Sequence, residues 1–241
     1  HATTGATSVV VEGEGAGNVE QGEDNLVVRA LRLALDRVGA PQVGVRMHCT
    51  NRIPHSRGLG SSASAIVAGV TLARALIGDA EVLGRQEILE IGSQMEGHPD
   101  NVAPAVFGGA TVAWMNEETS EVGSVRLTPP EGISPVAFIP DFELRTAAAR
   151  AALPATVPHG DASFNVARGA LLAAVLSGNA QVSGGVDLHS LLMEATRDRL
   201  HQEQRRAAME PSLALVDWLR GAGFAAVVSG AGPTVLSLES V

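Results

Sequence analysis

The sequence contains no lysine, so all 17 of its basic side chains are arginine. A phosphate loop of the Walker A type requires a lysine, and so does catalysis through a Schiff base or a lysine nucleophile. These classes of protein are therefore excluded. Any phosphate or carboxylate that binds here must be held by backbone N–H groups, hydroxyls, a metal ion or arginine.

Cysteine, aromatic residues and long apolar runs are also scarce. Cys49 is the only cysteine, which excludes an internal disulfide and fits a reducing cytosol. Aromatic residues make up 3% of the sequence, so we expect a core of Ala, Val and Leu. No run of 18 apolar residues and no signal sequence is present, and we expect no membrane partner. The net charge of −9 argues against a nucleic-acid partner.

Hydrophobic periodicity indicates a mixture of helices and strands. Helical spacing extends over residues 24–38, 62–77, 85–95, 146–153, 162–176 and 212–220. Strand patterns extend over residues 7–14, 42–49, 110–115, 122–127, 135–140, 224–229 and 234–238. The two kinds of element do not alternate regularly, which favours an α+β fold over a doubly wound sheet. The charged, proline-containing stretch 120–135 predicts a division into domains 1–128 and 129–241.

A glycine- and serine-rich segment runs directly into the second predicted helix. Its residues are Pro54, His55, Ser56, Arg57, Gly58, Leu59, Gly60, Ser61, Ser62, Ala63 and Ser64. Small residues allow backbone N–H groups to converge on one point, and the following helix adds free N–H groups and a positive dipole end. The segment therefore suits an anion such as phosphate. Taken alone, it is equally consistent with a flexible loop before a helix.

Three further segments join this loop in a recognisable order. They are Glu96–Pro104 (EGHPDNVAP), Arg199–Gln202 (RLHQ) followed by Arg205, and the glycine-rich turn Ser229–Thr234 (SGAGPT). The loop and the glycine-rich turn resemble motifs of the GHMP small-molecule kinases, and the other two segments resemble the branch of that family that phosphorylates homoserine. The resemblance covers essentially the whole chain.

The resemblance implies a two-domain GHMP kinase fold, with the phosphate loop in an amino-terminal βα domain and the glycine-rich turn in a ferredoxin-like carboxyl-terminal domain. It implies a cytoplasmic, ATP-dependent enzyme that phosphorylates the side-chain hydroxyl of L-homoserine in threonine biosynthesis, and a homodimer. The alternatives are a kinase for another small alcohol, such as mevalonate, and a catalytically silent metabolite sensor with the same fold.

By the same resemblance, residues 54–64 bind ATP, and Ser61 and Glu90 bind Mg²⁺. Magnesium prefers oxygen ligands, which a serine hydroxyl and a carboxylate supply. Residue type alone does not distinguish Glu90 from an ordinary solvated glutamate, nor from its neighbours Glu87 and Glu96. Its position in the resemblance selects it.

The resemblance assigns His98, Asp100 and Asn101 to homoserine. Several GHMP relatives carry an aspartate base where this sequence has Asn101, and an amide cannot accept the proton. We therefore expect the hydroxyl to attack without a carboxylate base. The pair His98 and Asp100 also has the spacing of metal ligands, but a metal-hydrolase site would need further ligands, for which His159 and Asp161 are the candidates.

Arg150 and Arg205 are expected to hold the carboxylate of homoserine, because a planar guanidinium can form two hydrogen bonds with it. Thr146 lies four residues before Arg150, on the same face of a predicted helix, and is expected to join Arg150 and Asn101 in catalysis. Arg145 is close enough in sequence to compete with Arg150 for the carboxylate.

The sequence begins at His1 and contains no counterpart of the family's first motif. Members of the family also continue for several dozen residues beyond the glycine-rich turn. We therefore expect the sequence to be a part of a longer protein.

Overall fold

The structure, a computed structural model, describes residues 1–79, 81–181 and 184–240. The chain forms two compact units. The first comprises His1–His55 and Gly60–Arg126, and the second comprises Ser56–Leu59 and the chain from Leu127 onward. The sequence did not indicate that Ser56–Leu59 would belong to the second unit. Its predicted division into domains after residue 128 stays a prediction.

Helices and strands are mixed along the chain, which confirms the α+β class. The helices are α1 Leu26–Arg37, α2 Ser61–Ile77, α3 Arg85–Glu96, α4 Val102–Phe107, α5 Thr146–Ala151, α6 His159–Leu176, α7 Leu188–Ala195 and α8 Glu210–Gly221, with a 3-10 helix at Glu203–Ala208. The strands are β1 Ala2–Thr3, β2 Ser8–Gly13, β3 Gly44–Asn51, β4 Ala110–Met115, β5 Val122–Leu127, β6 Ile133–Phe138, β7 Ala225–Val228 and β8 Val235–Ser240. Within the described ranges, no helix has both the length and the apolarity that crossing a bilayer requires.

Helices α1 and α2 form the centre of the first unit. The side-chain oxygen of Asn25 caps α1 by accepting a hydrogen bond from the Val27 N–H at 3.0 Å. On α2, a Cβ added at Gly69 would lie 2.3 Å from the Val27 carbonyl oxygen and 2.7 Å from the Ala30 Cβ. The two backbones therefore approach each other more closely than any side chain at position 69 would permit.

Arg32 connects α1 to the residues that directly precede β2 and β3. Its guanidinium donates two hydrogen bonds to the Glu23 carboxylate, at 2.9 and 2.8 Å, and others to the Thr7 hydroxyl at 2.8 Å and the Val43 carbonyl oxygen at 2.5 Å. The hydrogen bonds from Arg32, and then from Thr7, lower the pKa of Glu23 from 4.5 to about 2. Glu23 therefore keeps its charge, and this contact, down to strongly acidic pH.

Helices α3 and α4 pack closely on each other. A Cβ added at Gly92 of α3 would lie 2.6 Å from a methyl carbon of Val102 in α4, and Val102 is fully buried. The Gln86 side chain of α3 donates a hydrogen bond to the Val122 carbonyl oxygen of β5 at 2.8 Å. The contact between Gly92 and Val102 therefore holds α3 and α4 together on either side of the connection 97–101.

The second unit is built on a three-stranded antiparallel sheet with the order β6-β8-β7. Side chains alternate along β8, so Val235 and Leu238 lie on opposite faces. Val235 belongs to a buried cluster with Leu213 and Val216 of α8. Leu238 packs against a second cluster, which contains Leu192 of α7. Helices thus cover both faces of the sheet.

The sequence patterns do not predict four elements, namely β1, α4, α7 and the 3-10 helix. Each has eight residues or fewer, which gives a period little room to show, although α5 and β7 are as short and were predicted. The other elements agree with the predicted ranges to within a few residues at each end, which is the usual uncertainty of such boundaries.

Substitution of Gly69 by Ala should lower the free energy of unfolding by about 1–3 kcal/mol, because the added methyl group forces α1 and α2 apart. Gly169→Ala in α6 is a matched control, since an added Cβ there meets nothing within 4 Å; it should raise stability by about 0.5–1 kcal/mol. Denaturant unfolding of both variants measures the difference. Equal stabilities would contradict the close contact at Gly69.

Candidate functional site

The amino end of α2 is open to an anion. Gly60 precedes the helix in the left-handed conformation, with φ 72°, and no side chain of the described residues caps the helix. The first N–H groups of a helix have no intrahelical partner, and the helix dipole places partial positive charge there. This end of α2 therefore has the properties of the anion site that the sequence predicted.

Ser62 and Glu96 meet at this end of α2. The Ser62 hydroxyl donates a hydrogen bond to Glu96 Oε2 at 2.8 Å. Glu96 is the last residue of α3, which ends there because Gly97 adopts a left-handed φ of 83°. A hydroxyl and a carboxylate are oxygen ligands of the kind that Mg²⁺ prefers.

Glu90, the metal ligand predicted from sequence, faces a different part of the first unit. Its carboxylate accepts a hydrogen bond from Gln86 Nε2 at 3.1 Å and lies 3.9 Å from an Arg37 guanidinium nitrogen. Six residues along a helix correspond to a rotation of about 240°, so Glu90 and Glu96 point in different directions. Among the hydrogen bonds of the described residues, one joins Ser62 to Glu96 and none joins Glu90 to Ser61.

The predicted substrate residues of the first unit lie beside the same helix end. His98 Nδ1 is 2.5 Å from Asp100 Oδ1, and the same carboxylate oxygen accepts a hydrogen bond from the Asn101 N–H at 2.8 Å. A Cβ added at Gly60 would lie 3.7 Å from Asn101 Oδ1. The Asn101 amide is therefore next to the residue that opens α2.

Within the second unit, Ser56–Leu59 pack on the glycine-rich turn. The Ser229 hydroxyl donates a hydrogen bond to the Gly58 carbonyl oxygen at 2.8 Å, and the Thr234 N–H donates one to the Arg57 carbonyl oxygen at 3.3 Å. Gly58 has a φ of 72°, and a Cβ there would lie 2.2 Å from the Ser229 carbonyl oxygen. The glycine-rich turn thus fixes the conformation of the first part of the loop.

Arg57 holds the same part of the loop from another side. Its guanidinium donates hydrogen bonds to the carbonyl oxygens of Pro140 and Asp141, at 2.8 and 2.7 Å. The Leu144 N–H adds a hydrogen bond to the Ser56 carbonyl oxygen at 3.0 Å. The loop is therefore anchored to the segment that follows β6.

Arg205, in the second unit, lies within electrostatic range of Arg150. Arg205 is buried, with 8% exposed, and its Nε donates a hydrogen bond to the Ala149 carbonyl oxygen at 3.1 Å. Burial lowers the pKa of Arg205, the charge of Asp198 opposes this, and the charge of Arg150 lowers the pKa further. An anion bound at both guanidiniums would reduce their mutual repulsion. Thr146 lies one helical turn from Arg150 on exposed positions of α5.

Asp198 organises the segment that leads to Arg205. Its carboxylate accepts hydrogen bonds from the N–H groups of Leu200, His201 and Gln202, at 3.2, 3.0 and 2.7 Å, and from Asn165 Nδ2 at 2.7 Å. Burial raises the pKa of Asp198, but these hydrogen bonds outweigh burial, so the pKa lies below its ordinary value. The carboxylate is therefore charged at neutral pH and fixes this turn.

Sequence analysis did not identify Asp198 or Asn165. An aspartate commonly accepts hydrogen bonds from N–H groups that follow it within a turn, so Asp198 two residues before Leu200 was an available signal. Asn165 lies 33 residues earlier on α6 and gives no such signal. Gln202 belongs to the RLHQ segment. Its side-chain oxygen accepts a hydrogen bond from the Val228 N–H of β7 at 2.7 Å.

The candidate metal-hydrolase ligands do not assemble. His98 and Asp100 form a pair in the first unit, while Asp161 of the second unit lies 3.4 Å from an Arg199 nitrogen. In the part of the chain that the structure describes, no three His, Cys, Asp or Glu side chains come together as metal ligands.

Two family models match the chain. The model described as "GHMP kinases N terminal domain" matches residues 25–109, and the model described as "GHMP kinases C terminal" matches residues 180–238. Together with the relatives described next, these matches show that the chain belongs to the GHMP kinase family. The family and fold predicted from the four sequence segments are therefore confirmed.

Within the family, the chain is similar to homoserine kinases. The homoserine kinase of Streptomyces coelicolor is 45% identical over 229 residues, which are 95% of this chain and 71% of the relative. That of Leifsonia xyli is 45% identical over 236 residues, or 98% of this chain and 69% of the relative.

Two solved structures are also similar to this chain. The crystal structure of homoserine kinase from Cytophaga hutchinsonii matches with a TM-score of 0.82 at 24% identity, over 99% of this chain and 73% of that chain. A structure of a putative homoserine kinase from Listeria monocytogenes matches with a TM-score of 0.69 at 31% identity, over 99% of this chain and 76% of that chain.

Substitution of Gly58 by Ala should lower the free energy of unfolding by about 1–3 kcal/mol, because the methyl group meets the Ser229 carbonyl oxygen and the left-handed φ becomes strained. Gly160→Ala is the control, since an added Cβ there meets nothing within 4 Å. Thermal unfolding compares the variants. If Gly58→Ala is as stable as Gly160→Ala, the packing of the loop on the glycine-rich turn is wrong.

Proposed function

We propose that this protein transfers the γ-phosphoryl group of ATP to the side-chain hydroxyl of L-homoserine and forms O-phospho-L-homoserine, an intermediate of threonine biosynthesis. The observation that carries the proposal is the open amino end of α2, with Ser62, Glu96 and Asn101 beside it. Such a site offers donors for a triphosphate, ligands for a cation and a polar contact for an acceptor. The relatives at 45% identity are named homoserine kinase, which supports this acceptor.

The phosphates of ATP would be bound by backbone N–H groups and hydroxyls of residues 54–64. No lysine is available for this task in the sequence. Phosphoryl transfer depends on positioning and on neutralising charge on the transferred group. The N–H groups at the start of α2 are fixed by the helix itself, so they require no rearrangement as that charge develops.

A magnesium ion fits the oxygen ligands at this helix end. We propose that Ser61, Ser62 and Glu96 hold it, because the structure joins Glu96, and not Glu90, to a loop serine. When bound, the ion would neutralise negative charge on the β- and γ-phosphates. The resemblance implied Glu90 as a ligand, which stays a prediction, and we propose Glu96 as the alternative because of its contact with Ser62.

One set of residues would bind the carboxylate of homoserine, and another would bind the rest of the molecule. Arg205 and Arg150 suit its carboxylate, because burial and the neighbouring guanidinium make an anion favourable there. Arg150 is favoured over Arg145 for this role, since the charge of Arg150 acts on Arg205. His98, Asp100 and Asn101, with Thr146 on α5, remain the proposed contacts for the rest of the substrate.

The hydroxyl oxygen of homoserine would attack the γ-phosphorus as the bond to the bridging oxygen breaks and ADP leaves. Asn101 can donate a hydrogen bond to the hydroxyl or accept one, but its amide cannot take the proton. Asp100 already accepts a hydrogen bond from the Asn101 N–H and lies against His98. We therefore propose that the hydroxyl proton leaves late, to the transferred phosphoryl group.

A cytoplasmic location, a homodimer and the lack of nucleic-acid or membrane partners belong to the proposal as well. The single cysteine supports a cytoplasmic location. The net charge of −9 argues against a nucleic-acid partner. The dimer rests on the family alone. A mevalonate kinase is disfavoured by Asn101 at the base position, and a silent sensor by the intact set of Ser62, Glu96 and the two arginines.

Glu96→Gln should reduce kcat for homoserine phosphorylation by about 100-fold or more, because loss of one charge at a transferring phosphoryl group costs several kcal/mol of transition-state stabilisation. Glu90→Gln on the same helix is the matched control and should keep kcat within about two-fold of wild type. A coupled assay of ADP release at varied Mg²⁺ measures both. A larger loss of kcat in Glu90→Gln than in Glu96→Gln would instead favour Glu90 as the ligand.

Arg205→Ala and Arg150→Ala should each raise the KM for homoserine by at least about ten-fold, since a hydrogen bond to a charged group contributes about 1.5–3 kcal/mol. The KM for ATP should change little. Arg206→Ala is the control, because its guanidinium is paired with Glu203 and Asp217 at the surface, at 2.7 and 2.9 Å. Unchanged homoserine kinetics in both test variants would exclude these arginines from the site.

A further inference from the structure

His201 lies between a buried carboxylate and the Arg205 guanidinium. Its Nε2 is 3.1 Å from Asp198 Oδ1, and its Nδ1 is 3.5 Å from Arg205 Nη1. All three residues belong to one turn and the 3-10 helix that follows it. The imidazole thus connects the residue that organises the turn to the arginine proposed for the substrate carboxylate.

The neighbours of His201 define its protonation state. A guanidinium can only donate hydrogen bonds, so Nδ1 must be unprotonated to accept one from Arg205. Asp198 is charged and accepts, so Nε2 carries the proton and donates it to this carboxylate. The geometry therefore selects the neutral Nε2–H tautomer. A second proton on Nδ1 would remove the acceptor and place two positive groups against each other.

We infer that His201 is a positioning residue for homoserine binding: its neutral imidazole orients Arg205, and protonation of Nδ1 releases that arginine and weakens the hold on the substrate carboxylate. The inference rests on the proposed function, in which Arg205 binds the carboxylate. It adds a pH-dependent control of substrate affinity that resides in the second unit.

The charged groups around His201 agree with this role. Asp198 and Arg205 face its two ring nitrogens, and Arg150 of α5 acts on Arg205. From α6, the nearest polar partner of the turn is the neutral Asn165, while Asp161 is paired with Arg199. Partial burial lowers the pKa of His201 below its ordinary 6.5, Asp198 opposes this, and Arg205 lowers it further. His201 is therefore neutral at pH 7 and becomes charged only under acidic conditions.

The test compares wild type with His201→Asn and His201→Phe. Asparagine can place an acceptor oxygen near the position of Nδ1 and does not titrate, whereas phenylalanine keeps a ring without any acceptor. His48→Gln is the control, since His48 is an exposed residue of β3 paired with Glu12. The Kd and KM for homoserine are measured from pH 5 to 8, by calorimetry and steady-state kinetics, together with the KM for ATP.

In wild type and His48→Gln, the homoserine Kd and KM should rise by about ten-fold as the pH falls through the His201 pKa, because one charged hydrogen bond is lost. His201→Asn should stay near the neutral-pH value throughout. His201→Phe should show the raised value at every pH. Identical pH profiles of wild type and His201→Asn would overturn the inference.

Two readouts separate this inference from the proposed function. If wild type neither binds nor phosphorylates homoserine at pH 8, the proposed substrate is wrong, and the role inferred for His201 is wrong with it. If homoserine is a substrate but ¹⁵N NMR of the imidazole shows the Nδ1–H tautomer at neutral pH, the contact with Arg205 is wrong and the positioning role alone is refuted. Observation of the Nε2–H tautomer, lost in parallel with homoserine affinity on acidification, would support it.

Discussion

The proposed site depends on the open amino end of α2, because a phosphate bound there must be held without any lysine. Backbone N–H groups are weaker individually than an ammonium group, so several of them must point at one place and remain there. Gly60 makes this possible by turning the chain in a left-handed conformation immediately before the helix. Ser62, Glu96 and the Asn101 turn lie beside that point in the first unit.

The loop itself depends on a second set of contacts. Its first part, Ser56–Leu59, is held by the glycine-rich turn through Ser229 and by Arg57 through two carbonyl oxygens. Glycine at position 58 is required because the Ser229 carbonyl oxygen occupies the space of a side chain. Two motifs that are about 170 residues apart in sequence are thus parts of one structural arrangement. This explains why the motifs in their order indicate the family more specifically than either one alone.

Much of the fold could be predicted from sequence, because long elements such as α1 and α2 repeat their apolar residues over several turns. The short helices α4 and α7 were not predicted, although the equally short α5 was. At the proposed site, the family resemblance supplied the loop, the Asn101 turn and the arginine pair as predictions. The contact of Glu96 with Ser62 could not be predicted, because α3 carries several glutamates and only its packing on α2 shows which one meets a loop serine. Asp198 had a local signal, because an aspartate commonly accepts hydrogen bonds from the N–H groups that follow it in a turn, whereas Asn165, 33 residues earlier, had none.

The contact at Gly69 has a consequence for the motion of this region. Gly69 lies eight residues after Ser61, or about 12 Å along the helix at 1.5 Å per residue. At that point α2 touches the backbone of α1 directly, with no intervening side chain that could change rotamer to absorb a rotation. Rolling of α2 about its own axis would drive its backbone against that of α1, so this contact opposes such a rotation. The direction of the N–H groups at the start of α2, where phosphate is proposed to bind, is accordingly constrained by a steric contact two turns away from them.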